Sequence, residues 1–158
     1  MNEPSRILLD GDMIRYSSKV RGDWNLRVST VRIIGEFTNQ NGPFADDYFL
    51  CFATGPWKWR EASFYAEGRD EFLEALGAKL GSPLELGLCG STDFASRVLW
   101  PQSLAGEPMF RFEDIPRRGL WGWIFGPWGN RQTYTAPVAA VLSGARHRHD
   151  RPGPAESC

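Results

Sequence analysis

Hydrophobic positions recur at helical spacing, with matching signals at both ends, in one stretch: Arg69 to Gly81, RDEFLEALGAKLG. Phe72, Leu73, Leu76 and Leu80 form a single apolar stripe. Asp70, Glu71 and Glu74 favour the positive end of the helix dipole, and Lys79 sits in the last turn. Gly81 suits the left-handed position that stops a helix, and Ser82-Pro83 does not continue one. Gly77 lowers helix propensity by about 1 kcal/mol relative to alanine and leaves room for a neighbouring strand. Burying the four stripe side chains offers about 6–12 kcal/mol before entropy costs.

Elsewhere the pattern is that of strands. Arg6 to Leu9, the turn Asp10-Gly11 and Asp12 to Tyr16 predict a hairpin. Leu26, Val28 and Thr30 alternate with polar residues as in a half-buried strand. The apolar parity then passes to Val31, Ile33, Gly35 and Phe37, which predicts a bulge or corner near Thr30. Asn39 to Pro43 is a loop, and the unbroken apolar run Tyr48 to Thr54 predicts a central strand covered on both faces. Gly55-Pro56 turns the chain into the aromatic-rich strand Trp57 to Ala66. Leu84, Leu86 and Leu88 alternate as in a further strand, as do Phe94, Ser96, Val98 and Trp100; Pro101 to Pro108 is a loop, and Met109 to Phe112 is a short strand. Pro116 to Gly129 is too rich in Gly and Pro for regular structure. Val138, Val141, Leu142 and Ala145 predict a short C-terminal helix behind Pro137.

Length and composition fit this pattern. A chain of 158 residues supports one core, and 42% hydrophobic content with seven Trp and ten Phe commits it to folding. We expect a single α+β domain over residues 1–145 and a flexible tail over 146–158. The net charge of −1 gives no global attraction to nucleic acid or anionic membrane. Ten acidic against four basic residues lie between Glu61 and Asp114, however, and seven basic against three acidic between Arg111 and Arg151. Cys51, Cys89 and Cys158 have no metal-ligand spacing. Cys51 and Cys89 lie in apolar surroundings and read as small core residues of a reducing compartment. The N-terminal MNEPSRILLDGD lacks the apolar run of a signal peptide, so a cytoplasmic protein is expected.

Candidate chemistry is sparse. Asp10 and Asp12 at a strand end are the residue type that holds Mg²⁺ against a phosphate. ILLDGD resembles the first motif of haloacid-dehalogenase-like phosphatases and the N-terminal strand of some metal-dependent nucleases. Those families need alternating strands and helices with further acidic motifs, whereas strands follow strands here, and Asp46-Asp47 arrives early, in a loop. A hairpin turn is the plainer reading. His147 and His149 fall in the basic tail without a rigid third ligand. Ser91 and Ser96 near Asp93 have no base to activate them. No catalytic, cofactor or metal set emerges. The most unusual composition is Arg117 to Arg131, where Arg117, Arg118 and Arg131 flank Trp121, Trp123, Phe125 and Trp128. These aromatics either cover an open end of the sheet or present a recognition surface.

From Arg6 to Gly81 the order of hairpins, the loop at Asn39 to Pro43, the two-sided strand, another strand and one amphipathic helix resembles bacterial pleckstrin-homology-like or GRAM-like domains. The resemblance covers half the chain and implies a strongly bent, mostly antiparallel sheet, a half barrel closed by the helix at about 69–81. The strands after Pro83 and the C-terminal helix are additions to that pattern. It implies a non-enzymatic binding or scaffolding role with protein as partner, and acidic lipid or a membrane surface as a variant. Nucleic acid is disfavoured by the charge, and self-association is compatible. Two alternatives stand beside it: a metal-dependent phosphoryl-transfer enzyme using Asp10 and Asp12, and an immunity-like protein that meets a basic partner through the acidic face from Glu61 to Asp93.

Overall fold

Alternation on both faces of one strand organises the architecture. The computed structural model describes residues 4–39, 46–91, 94–116, 119 and 128–144, with the backbone alone for 112–116 and 128–131. Along β5 (Tyr48–Gly55), Phe49, Cys51 and Ala53 enter one hydrophobic cluster while Leu50 and Phe52 enter another. β4 (Ile33–Thr38) divides in the same way, with Ile33 and Phe37 on one side and Ile34 on the other. The expected strand covered on both faces is present, and its neighbour shares that property.

β4 and β5 are the middle of a sheet of order β6-β5-β4-β7, completed by β6 (Lys58–Ser63) and β7 (Ala95–Trp100), with every ladder antiparallel. A second sheet, β1-β2-β3, is an antiparallel meander of β1 (Ser5–Asp10), β2 (Met13–Ser18) and β3 (Trp24–Arg27). Asp10 pairs with Met13 across the two-residue turn Gly11-Asp12, where Gly11 takes the positive φ such a turn demands. The predicted corner near Thr30 is a 3-10 turn, Val28–Thr30, rather than a continuation of the strand.

Helix α1 (Arg69–Leu80) forms where the stripe predicted it, and Gly81 ends it in the left-handed conformation at φ 69°. Phe72, Leu73 and Leu76 enter the cluster shared by the first sheet and one face of the central sheet. The close approach at Gly77 comes from the chain leaving the helix, not from a strand. A β-carbon there would lie 3.1 Å from the Ser82 carbonyl oxygen.

The other face of the central sheet is covered by β8 (Phe110–Pro116), β9 (Trp128–Tyr134) and α2 (Ala136–Leu142), through Phe110, Tyr134, Val138 and Leu142. β9 runs through residues whose Gly and Trp content argues against regular structure, and it pairs in register with β8. Residues 84–88, expected as a strand, have no ladder; they cross as an extended strap in which Leu84 and Leu86 pack on the first cluster. Cys51 is fully buried as expected, but Cys89 is exposed. Among the described residues no helix is long and apolar enough to cross a membrane.

Candidate functional site

Among the described residues, those singled out for chemistry do not converge. Asp10 is exposed and pairs with Arg15 at 3.0 Å; Asp12 is exposed, accepts a hydrogen bond from Ser29 Oγ at 3.0 Å and lies 3.5 Å from Lys79 Nζ. Both carboxylates are thus occupied by neighbours around the hairpin turn. Among the described residues no group of three or more His, Cys, Asp or Glu is placed to hold a metal ion. Ser96 Oγ accepts the Phe110 N–H at 2.9 Å and staples β7 to β8. Of the aromatic-basic stretch, Arg117, Arg118, Trp121 and Trp123 lie outside the described residues, as do Phe125, His147 and His149. Trp128 and Arg131 belong to β9, with backbones opposite Pro116 and Glu113.

Two arrangements that the sequence did not single out stand out instead. Glu36, on β4, has no exposed surface, yet it is an acid in a strand of apolar neighbours. The cost of burying a charge is offset only by full hydrogen bonding. The Tyr48 hydroxyl donates to Oε2, the Gly87 N–H donates to Oε1 at 2.8 Å, and Arg97 Nη1 lies 3.5 Å from the same oxygen. Burial first, and then the bond to Glu36, holds the Tyr48 phenol far above its ordinary range. The Tyr48 ring stacks on Phe64 at 3.9 Å, and the Arg69 guanidinium lies over the other ring at the same distance. Glu36 therefore clasps the strap at Gly87 to the sheet, and the stacked rings continue the clasp to the first residue of α1. A signal was legible: a lone acid between Gly35 and Phe37 in a strand with a two-sided neighbour.

The second arrangement lies where the two larger sheets meet, along β3 and β6. The Trp24 indole N–H donates to the Glu61 carbonyl at 3.0 Å, and the Ser63 N–H donates to the Tyr16 phenol oxygen at 3.3 Å. Side chains of β3 and of the middle strand β2 thus reach the backbone of β6. Alternate residues of a strand direct their backbone groups to opposite neighbours. Residues 59, 61 and 63 therefore face out of the central sheet. The Trp59 N–H and C=O and the Glu61 N–H have no hydrogen-bond partner among the described residues. The Ile7 N–H bonds outward to Glu67; the same alternation, carried across β1 and β2, turns the Asn25 N–H and C=O away from β2.

Between these edges is a groove of ≈ 570 Å³ lined by Asn25, Leu26, Thr54, Trp57, Lys58, Trp59 and Arg60. Trp57 is 70% exposed, and Lys58 and Arg60 are exposed without a carboxylate partner among the described residues. Among the described residues, none that lines it is acidic. Glu61 is turned to the other face of β6, where it accepts from Trp59 Nε1 at 2.9 Å and lies 3.8 Å from Arg21. The basic–aromatic run Trp57-Lys58-Trp59-Arg60 was the available signal, but its counterpart on β3 is remote in sequence. Comparison with known protein families, curated proteins and solved structures returns no match.

Proposed function

We propose that this chain is a non-enzymatic binding or scaffolding domain whose partner is another protein, received in the groove between β3 and β6. The observation that carries the reading is the pair of sheet edges facing one opening with unpaired backbone donors and acceptors, since such edges template the addition of an extended segment. A pleckstrin-homology-like or GRAM-like half barrel is compatible with this: residues of β1-β2-β3, of β6-β5-β4-β7 and of α1 share one hydrophobic cluster, and in such a half barrel α1 would be the closing helix. Membrane-surface binding is the variant within the same class. Phosphoryl transfer through Asp10 and Asp12 has less support, because both carboxylates are engaged by neighbours.

Photocrosslinking in the native cell tests the reading. A photoreactive residue at Trp57 should capture a partner protein, one at Ser103 on the loop after β7 should not, and Asn25→Pro should abolish capture. Proline removes one groove-facing N–H and is tolerated on an edge strand. Capture of lipid alone, or equal capture from both positions, would overturn it.

A further inference from the structure

We infer that the occupant of the β3–β6 groove is a short extended segment bearing acidic side chains, an inference that rests on the groove being a protein-binding site. The backbone fixes the class of ligand. Trp59 offers both an N–H and a C=O, and Asn25 offers the same pair across the opening, so a ligand must both donate and accept at strand spacing. A peptide backbone does so. A DNA sugar-phosphate backbone presents acceptors without donors and leaves the Trp59 and Asn25 carbonyls unmet.

The side chains fix the charge. Successive side chains of a strand alternate between faces. Lys58 and Arg60 therefore fall on the same face of β6, and Arg60 stands opposite Phe52 of the first core, toward β3. Both cations are exposed, no acid lines the groove among the described residues, and Glu61, next to Arg60 in sequence, points to the opposite face. A paired strand carrying acids at alternate positions sets them against Lys58 and Arg60, while its intervening apolar side chains fall on the opposite face, that of Trp59.

The test uses the full chain and two short peptides, one of alternating glutamate and valine and one of alternating lysine and valine, followed by amide chemical shifts and fluorescence anisotropy. The glutamate peptide is expected to shift the Asn25, Trp59 and Glu61 amides and to bind more weakly as salt rises. It should also lose roughly tenfold in affinity in Lys58→Glu/Arg60→Glu. That variant changes two exposed side chains, and an unaltered amide spectrum elsewhere establishes that it folds. Equal binding of both peptides, or glutamate-peptide binding indifferent to the charge reversal, overturns the acidic preference and leaves the protein-binding reading standing. If neither peptide moves those amides, both fail. An oligothymidylate that shifts the same amides and displaces the glutamate peptide overturns the assignment to peptide.

Discussion

Three polar contacts converge on the buried carboxylate of Glu36. Glu36→Ala leaves the Tyr48 hydroxyl and the Gly87 N–H without their acceptor and Arg97 with the Glu85 carbonyl alone, and is expected to cost about 2–4 kcal/mol. Glu36→Gln keeps the shape and a carbonyl oxygen and should cost about 1 kcal/mol. Urea unfolding separates them, and equal losses would show that the negative charge itself is required. Tyr48 also makes stability depend on alkaline pH. Its phenol titrates near pH 10 when unfolded and well above that when folded, through burial and the bond to Glu36. A proton held more tightly by the folded state stabilises fully below the unfolded pKa, and the contribution is lost as pH rises toward the folded value. Tyr134 is raised mainly by burial, and Tyr65, hydrogen-bonded to Asp47, is pushed up to about 12; both add to the same window. Stability should therefore begin to fall above about pH 10, with a shallower slope in Tyr48→Phe. An unchanged slope would assign the loss to the other two phenols and the Cys51 thiol, which burial also raises.

Among the elements, α1 is open to test by a single substitution. Leu76 is fully buried in the first cluster, so Leu76→Asp places an unpaired carboxylate there and is expected to abolish the cooperative unfolding transition seen by circular dichroism. A folded Leu76→Asp protein would show that the helix does not depend on this face. The helix was legible in the sequence because stripe, charge bias and stop signal all lie within thirteen residues of one another. The strap misleads for the opposite reason. Alternation at Leu84, Leu86 and Leu88 reports one-sided burial, which an extended segment achieves without a ladder, and the Gly87 N–H is taken by a side chain. β9 was hidden because its partner β8 lies across a glycine-rich stretch, and strand pairing is not a local property. Gly35 falls on the expected apolar parity, yet its reason is spatial: a β-carbon there would lie 2.3 Å from Met109 Sδ.

At the scale of the whole molecule, the central sheet is shared by two hydrophobic clusters, so neither can be lost without uncovering it. Amides of β4 and β5 should exchange with solvent only through global unfolding, while those of the β1–β2 hairpin exchange through local opening. Hydrogen-exchange mass spectrometry reads this directly, and hairpin and centre exchanging at one rate would make the protein a single cooperative unit. The candidate groove was not legible from the sequence, because its edges come from separate sheets and its free backbone groups carry no residue signature. Trp24 and Tyr16 have a further effect there. Their rings act as spacers, and ring length sets how far β3, which carries Trp24, and β2, which carries Tyr16, stand from β6. Shorter side chains at both positions would let the two edges zip together, turning an open corner into a continuous seven-stranded wall with no entrance.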